Sequence, residues 1–534
     1  MKKAKIIETK LKSAAEVAAK IGLRKKELEN IGKYSAKLTF SAAGKSIRDG
    51  GKLILITATP SVKGINGNGC NICDRLVESL VLLRKKTALC LPSFTPDQVM
   101  RHEGHPEIFP VEDVFLKNVD FFNIFQAHNL ISAFLSNIAV ADPNSEAGSA
   151  VINWNRASAF VDEPLRNVIT GMYNNKPNRH VKEEKFEYIL HSELAAVASL
   201  SVSFEDLKAR VEKVIVGFNK DGSPLTIKDI ELEDAVSYLL KDTLKPTLMQ
   251  SRRGDPAFVY VSPSSRMLPP GNITALKTAQ SLSEFVIARL DGSVDSSLEK
   301  FLDITARDSG IKPDMIVLNT FIPELNYYGG ADLNSAFGKN LEALEKGVPE
   351  LLRNIESAKK FGIPVLVNVN DKRDATQDEI KIIVRRCSDL GVKVVFSSTN
   401  GSGVKQNLEL VKSVLEVIRT QKSYYKPVYE LDHTIKEKVK LIVKEIYGMA
   451  RVSYSAKAEK ELEQLELNGH AGLPVCIARS PYYHRTDRDG LLAIKSLRLL
   501  AGAGVILVEA ADSERMPSFA WKYSAERLTH ELFV

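Results

Sequence analysis

Short apolar runs alternate along this chain with longer stretches in which apolar residues recur every three or four positions. Residues 53–56, 365–369 and 392–396 are runs of the first kind, and residues 74–83 and 341–361 are stretches of the second. The first pattern is typical of buried parallel strands and the second of amphipathic helices. Their alternation predicts an α/β fold, with parallel sheets that carry helices on both faces.

One further helix, over residues 123–138, is predicted from a particularly apolar stretch. Its core face is predicted to contain Ile124, Leu130, Ile131, Phe134 and Leu135. After residue 425 the composition shifts to a charged helix, followed by short strands at 475–478 and 505–508. We therefore predict three domains: a P-loop-like nucleotide-binding domain with a parallel sheet over residues 1–335, and two smaller α/β domains over 336–425 and 426–534.

The stretch between the strand at 53–56 and the helix at 74–83 is rich in glycine and has the layout of a phosphate-binding loop. Backbone N–H groups in such a loop, together with the N-terminus of the helix that follows, attract an anion. Gly64 and Gly69 have the spacing of G-x-x-x-x-G-K-[ST], but Cys70 and Asn71 replace the Lys and the hydroxyl residue. The predicted phosphate-contacting positions are Gly64, Gly67, Gly69, Cys70 and Asn71, with Lys63 as a cation on the other side of the loop.

Composition describes an ordinary globular protein and argues against several classes of partner. The chain has 534 residues, 44% of them hydrophobic and 26% charged, with a net charge of +7. Lysine and glutamate are interspersed without a basic block, so nucleic-acid binding is not expected. No uninterrupted apolar run reaches about 18 residues, so no membrane span is predicted. Five cysteines do not form a disulfide framework, and we expect a reducing, cytoplasmic location.

Motifs spread from end to end resemble those of one family, formate–tetrahydrofolate ligase (formyltetrahydrofolate synthetase). They keep the family's order and cover nearly the whole chain. The motifs are Glu27-Leu28-Glu29, Gly32-Lys33-Tyr34, Pro110-Val111-Glu112-Asp113, Ala127-His128-Asn129-Leu130, Glu299-Lys300-Phe301-Leu302-Asp303-Ile304 and Lys444-Glu445-Ile446-Tyr447-Gly448.

The resemblance implies a reaction, its ligands and an assembly. The family joins formate to tetrahydrofolate at the expense of Mg·ATP, through formyl phosphate, to give 10-formyltetrahydrofolate. Its members have three α/β domains and usually form homotetramers. By this resemblance the first domain carries the ATP and formyl phosphate site, and the second lies on the folate side.

Several positions that carry chemistry in the family are occupied by other residues here. Cys90 stands where the family has an arginine that clamps the acyl phosphate, and a thiol cannot offset that charge. Lys372 and Asn400 stand where a phenylalanine and a tryptophan sandwich the pterin ring. Together with the missing loop lysine, these departures predict a catalytically impaired member that acts through association with itself, with an active paralogue or with another one-carbon enzyme.

Two other hypotheses stay open. In the first, the ligase is active with displaced residues: Lys63 replaces the loop lysine, Arg101 or Arg266 replaces the clamp, and Tyr482 stacks on the purine. In the second, Cys70, Cys73, His102 and His105 form a zinc site, or the two cysteines form a redox pair. The alternative to a metal is a buried pair of cysteines beside solvated histidines.

Remaining polar candidates are more consistent with structure than with ligand binding. Glu112, Asp113 and Asp120 could hold Mg²⁺ near a nucleotide, but without the loop lysine we expect them to be structural. We expect His128 and Asn129 to cap or pack their helix. Lys52, Lys300 and Arg307 are predicted to be surface or salt-bridge residues.

Overall fold

The computed structural model describes residues 11–43, 50–62, 65, 71–93, 108–110, 113, 119–173, 176–371, 375–398, 404–480 and 490–517. The strands are β1 Leu28–Asn30, β2 Ala36–Leu38, β3 Lys52–Ala58, β4 Thr87–Pro92, β5 Val151–Ile152, β6 Arg156–Ser158, β7 Val168–Tyr173, β8 Lys176–Glu184, β9 Phe186–Tyr188, β10 Ile215–Phe218, β11 Pro224–Thr226, β12 Thr247–Gln250, β13 Pro256–Tyr260, β14 Phe285–Ser293, β15 Met315–Phe321, β16 Val365–Asp371, β17 Lys393–Ser398, β18 Arg451–Tyr454, β19 Val475–Ala478, β20 Leu491–Leu500 and β21 Val505–Ala510.

The α-helices lie between these strands. They are α1 Ala14–Ala19, α2 Phe40–Ala43, α3 Asn71–Leu82, α4 Val119–Ala141, α5 Glu146–Ser149, α6 Glu193–Leu200, α7 Phe204–Glu212, α8 Glu233–Leu240, α9 Ile273–Leu282, α10 Arg307–Ser309, α11 Ile322–Tyr328, α12 Leu341–Lys359, α13 Gln377–Ser388, α14 Val404–Thr420, α15 Ile435–Glu445 and α16 Ala456–Leu467. Two π-helical turns, Val294–Leu298 and Phe301–Ala306, follow β14. The mixed α/β class predicted from the sequence is confirmed.

A ten-stranded sheet forms the centre of the molecule, in the order β1-β2-β12-β13-β4-β14-β3-β15-β16-β17. The seven strands from β13 to β17 are parallel to their neighbours, and β1, β2 and β12 add an antiparallel edge. The carboxyl ends of the parallel strands therefore meet along one edge of the sheet. In open α/β sheets this edge is where ligands bind.

Each face of the sheet is covered by its own layer of helices. Ile54 and Ile56 of β3 pack against α3 and α14 on one face, which we call the α3 face. Leu53 and Leu55 pack into the larger cluster on the opposite face, where α9, α11 and α12 also contribute side chains. Because successive strand residues point to opposite faces, the continuous apolar run predicted at 53–56 supplies both layers.

The central sheet continues across the predicted boundary at residue 335. β15 lies before that boundary and β16 after it, yet the two strands pair in parallel over six residues. A separate four-stranded sheet, in the order β18-β20-β21-β19, lies within the predicted C-terminal domain. The division into three domains, with boundaries after residues 335 and 425, stays a prediction.

α4 is longer than predicted and its outer face is unusual. By length and composition, residues 120–141 are apolar enough to cross a membrane, and 33% of that stretch is buried. A single such helix is weak support for a membrane span, because core helices pass the same test. The prediction that Leu130 belongs to the core face is wrong, since it is exposed, whereas Ile124, Ile131 and Leu135 are buried.

Candidate functional site

The predicted phosphate loop is bounded by β3 and α3, which the structure places in the expected strand–loop–helix order. Lys63, Gly64, Gly67, Gly69 and Cys70 lie outside the described residues, and Asn71 is the first residue of α3. α3 covers the sheet with its N-terminus at the carboxyl end of β3. The two described ends of the loop lie at this edge, and the anion site itself stays a prediction.

Thr59, directly after β3, lies in a buried polar cluster. Its Oγ1 lies 3.2 Å from Thr320 Oγ1 and donates a hydrogen bond to Glu324 Oε2 at 3.3 Å. Tyr328 donates a hydrogen bond to the carbonyl of Pro60. These contacts fix the residues that lead into the predicted loop against the neighbouring strand.

Cys90 of β4 lies within the hydrophobic core. Its side chain is completely buried in the cluster that contains Leu53, Leu55 and Ala288. Burial raises the pKa of the thiol far above its ordinary value, so it stays neutral. The position assigned by resemblance to a clamping cation is therefore an apolar, uncharged environment.

The predicted cysteine–histidine site is only partly within the described residues. Cys73 is fully buried in the apolar cluster between α3 and the sheet. Cys70, His102 and His105 lie outside the described ranges. Within those ranges no group of three or more His, Cys, Asp or Glu side chains is arranged to hold a metal ion. The zinc and redox hypotheses stay predictions without support.

A row of polar side chains, missed from the sequence, follows the carboxyl edge of the sheet on the α3 face. It consists of Arg289, Asn319, Asn368 and Ser397, each two residues beyond a strand residue that packs on that face, namely Ile287, Val317, Leu366 and Val395. Asn368 Nδ2 donates to Asn319 Oδ1 at 2.6 Å and to Ser397 Oγ at 3.0 Å. The available signal was a polar residue that follows an apolar run within each strand.

Arg289 brings a cation to this row. Its guanidinium lies 3.1 Å from a carboxylate oxygen of Asp291, and only about one tenth of the side chain is exposed. Arg289 and Cys90 lie on neighbouring strands but face opposite sides of the sheet. Arg289 therefore does not occupy the space that the Cys90 side chain fills, although both lie near the same edge.

A second buried network connects this edge to the C-terminal part of the chain. Ser293 Oγ donates to Asp295 Oδ1 at 2.5 Å, and Arg479 Nη1 lies 3.4 Å from Asp295 Oδ2. The Arg479 guanidinium lies 4.7 Å from the centre of the Tyr447 ring, and the Tyr447 hydroxyl donates to Glu299 at 3.5 Å. Burial raises the pKa of Glu299 to about 8.

The backbone turn before this network requires glycine. Gly292 has φ of +126°, and a Cβ at this position would lie 2.8 Å from Ser296 Oγ. An L side chain here would strain the backbone and would force the Ser296 hydroxyl to move. The turn holds Ser293 and Asp295 against the C-terminal part of the chain.

Lys300 corrects one of our predictions. It is not a surface residue, because its side chain is completely buried and its Nζ donates to the carbonyl of Ser265 at 2.5 Å. Burial lowers the pKa of this lysine. Lys52 does form the predicted type of salt bridge, with Asp314 at 2.8 Å, and Arg307 stacks 4.6 Å from the Tyr429 ring centre.

The acidic candidates that are described take part in packing. Ser35 donates to Asp113 at 2.7 Å, and Lys37 Nζ lies 2.7 Å from Asp120 Oδ1. Burial raises the pKa of Asp120, and the charge of Lys37 opposes that shift. Glu112 lies outside the described residues. These contacts fit the structural role that we expected.

His128 and Asn129 pack α4 against the following segment, as predicted. His128 Nδ1 lies 2.8 Å from Ser192 Oγ, and its Nε2 lies 2.8 Å from the carbonyl oxygen of Asn155. Its ring stacks on Trp154 at 4.4 Å. Burial lowers the pKa of His128, which keeps the ring neutral.

Other residues assigned by resemblance are mostly outside the described ranges. Arg101, Lys372, Asn400 and Tyr482 belong to this group, and the roles proposed for them stay predictions. Arg266 is described and half-buried.

The sequence of the chain matches the model of a known protein family. A family model described as formate–tetrahydrofolate ligase matches residues 2–531 of the chain. The match covers nearly every residue, so it includes the phosphate-loop region, the polar row and the C-terminal sheet together.

Proposed function

The chain belongs to the formate–tetrahydrofolate ligase family, and from that premise we propose that it is a catalytically impaired member that acts through association with other protein chains. The family reaction joins formate to tetrahydrofolate with hydrolysis of ATP. It belongs to one-carbon, folate-dependent metabolism. A cytoplasmic location is part of this proposal.

The environment of Cys90 is the observation that carries the proposal. A transferring acyl phosphate needs cationic or N–H donors aimed at its developing charge. Cys90 instead places a neutral thiol in an apolar cluster, and its completely buried side chain has no opening toward such a ligand. The residues present at this position do not fit formyl phosphate.

Two further departures support the same interpretation. The loop position that would carry lysine is Cys70, and the positions that would stack on the pterin are Lys372 and Asn400. Loss of one oxyanion-stabilising donor typically lowers kcat by about 10²–10³. Losses at three subsites would leave little differential binding of the transition state.

A turnover assay tests this proposal. Formation of 10-formyltetrahydrofolate from Mg·ATP, formate and tetrahydrofolate is measured beside a family enzyme that has all three motifs. We expect a kcat at least about 10³-fold lower for this chain, from the donor losses above. Circular dichroism on the same preparation confirms that the protein is folded. A kcat within tenfold of the intact enzyme would contradict the proposal.

An active ligase with displaced residues is the second candidate, and Arg289 is the observation that favours it. This arginine lies on the α3 face, in the middle of β14 and opposite Ile56 of β3. A cation on this face, which α3 also covers, is on the correct side of the sheet to meet a phosphate bound at the N-terminus of α3. If turnover is found, Arg289→Ala should lower it by about 100-fold or more, whereas Arg253→Ala, at a half-exposed arginine paired with Glu78, should not.

A further inference from the structure

The outward face of α4 forms a single uncharged stripe. From position 122 to position 140 the exposed residues are three or four apart, position 141 follows directly, and all fall within about 100° of the helix circumference. They are Phe122, Gln126, Leu130, Ala133, Asn137, Val140 and Ala141. We call these seven residues the α4 stripe.

The composition of the α4 stripe is unlike that of a solvated surface. No charged residue occurs between positions 121 and 141, although 26% of the chain is charged. Phe122, Leu130 and Val140 are 47%, 37% and 56% exposed. Contiguous exposed apolar surface on a folded domain marks an interaction site.

Six of the seven residues of the α4 stripe pair with one another when the stripe is turned end to end, and Val140 falls opposite the half-buried Asn123. An antiparallel copy related by a two-fold axis near residues 131 and 132 places Leu130 opposite Ala133 and Gln126 opposite Asn137. The same operation places Phe122 opposite Ala141. A large side chain thus meets a small one at the centre and at both ends, and an amide meets an amide between them. In a two-fold interface each such pair occurs twice.

From this register we propose that α4 packs antiparallel against α4 of a second copy of this chain, across a two-fold axis near residues 131 and 132. The inference rests on the association proposed above and names the surface that carries it. Its occupant is a second identical chain, because self-complementarity of this kind specifies a like partner.

The surroundings of α4 supply the additional area that a stable dimer requires. The α4 stripe is about 27 Å long and about 10 Å wide, which is less than the roughly 800 Å² that each partner contributes to a typical interface. Arg156 links α4 to β8, since it donates to Ser136 at 2.9 Å and to Glu184 at 3.0 Å. The interface can therefore continue from α4 onto the hairpin.

The β7–β8 hairpin presents further apolar surface beside α4. Ile169 and Met172 are 69% and 48% exposed. The two strands pair with each other and with no other described strand. A two-stranded hairpin is marginally stable in water by itself, so coverage by a second chain would stabilise it.

A lipid bilayer fits the α4 stripe less well. The opposite face of the helix is packed in the fold through Ile124, Ile131 and Leu135, and Asp120 is paired with Lys37. In hydrocarbon the amides of Gln126 and Asn137 would have no partner, which is costly. In the proposed dimer the two amides face each other.

Sedimentation velocity on the full-length chain tests the proposed surface. Leu130→Glu places a carboxylate at the centre of the interface, and we expect association to weaken by at least about 100-fold, because that charge is buried without a partner. Leu467→Glu is the matched control, because Leu467 is a helix residue on α16 that is 79% exposed. It should leave the mass distribution unchanged.

Disulfide trapping tests the register and does not depend on destabilising the interface. Chains with Gln126→Cys are mixed with chains that carry Asn137→Cys and are oxidised. We expect a covalent dimer from the mixture and little from either variant alone. In the proposed register position 126 lies opposite 137, about 16 Å along the axis from its own copy. Each single variant is therefore the control for the mixture.

Several results would overturn the inference. They are a monomer at tens of micromolar, an assembly unaffected by Leu130→Glu, equal trapping in the single variants, or a monomer that binds phosphatidylcholine vesicles through α4. Failure of the proposed function is seen separately in the turnover assay. An active ligase that still dimerises through α4 would refute the proposed function and leave this inference standing.

Discussion

The two longest helices of the described chain, α4 and α12, bury similar surfaces and expose opposite ones. Both pack one apolar side into the fold, with residues such as Ile131 in α4 and Ile355 in α12. The outward positions of α12 carry Glu342, Glu345, Lys346, Glu356 and Lys359, whereas those of α4 are uncharged. Folding explains the inward faces of both helices, so the difference lies in what covers the outward faces.

The comparison extends to one buried carboxylate on each helix. Asp120 begins α4 and is paired with Lys37, whose side chain is 6% exposed. Glu350 lies within α12 and is paired with Arg353, whose side chain is 26% exposed. Each helix is therefore attached to the fold by a buried carboxylate paired with a cation. The cation is more exposed to water in α12 than in α4.

Removal of these carboxylates should lower the free energy of unfolding more than the other substitutions below. The loss should be larger for Asp120 than for Glu350. Asp120→Ala leaves Lys37 buried without its counter-charge and should lower the free energy of unfolding by about 3–5 kcal/mol. Glu350→Ala should cost less, because Arg353 can turn toward solvent. Urea unfolding followed by far-UV circular dichroism measures both. Equal losses would contradict the difference in solvent access.

Truncation of a side chain on the buried face should lower the free energy of unfolding by a similar amount in the two helices. Ile131→Ala and Ile355→Ala each remove a completely buried side chain and should each cost about 2–5 kcal/mol. The same urea titration compares them. A cost below about 1 kcal/mol for Ile131→Ala alone would mean that α4 is attached only loosely, and would break the comparison.

Salt should have a small effect on association through α4. The α4 stripe contains no ionisable residue, and the one histidine of the helix, His128, is buried. We expect the dissociation constant to change by less than about threefold between 50 and 500 mM NaCl, because screening acts on charges. Sedimentation at both concentrations measures it. A tenfold weakening at high salt would indicate a charged interface elsewhere.

Substitution of outward-facing residues on α12 should have the smallest effect on stability and on association. Glu342 and Lys346 form an exposed pair at 2.6 Å, one turn apart. Such surface pairs contribute little to stability. Glu342→Ala should therefore leave both the unfolding midpoint and the sedimentation profile unchanged. A change in oligomeric state would show that the charged face of α12 is also an interface.

Periodicity predicted α4 as a helix but did not identify its outward face. The sequence pattern placed Leu130 with Ile131 and Phe134 because all are apolar. When a helix is apolar nearly all round, its sequence does not indicate which side is buried. Only the packing on Ile124, Ile131 and Leu135 separates the buried side from the exposed one. The inward face of α12 was easier to predict because its opposite face is charged.

The candidate site shows the same contrast between local and non-local information. β3 and α3 were predicted correctly because a continuous apolar run and a helical repeat are local signals. The burial of Lys300 and the row formed by Arg289, Asn319 and Asn368 depend on which strands become neighbours. That information is absent from the spacing of residues within one segment.

We propose that this chain has the fold of a formate–tetrahydrofolate ligase without its phosphate and pterin chemistry. Calorimetric titration of the full-length protein with Mg·ATP, followed by tetrahydrofolate, tests it most directly. The account predicts no saturable heat from either ligand at concentrations up to about 1 mM, a bound that corresponds to a binding free energy weaker than about −4 kcal/mol. Saturable binding of Mg·ATP with a micromolar Kd, lost in Arg289→Ala, would contradict it and establish a displaced nucleotide site.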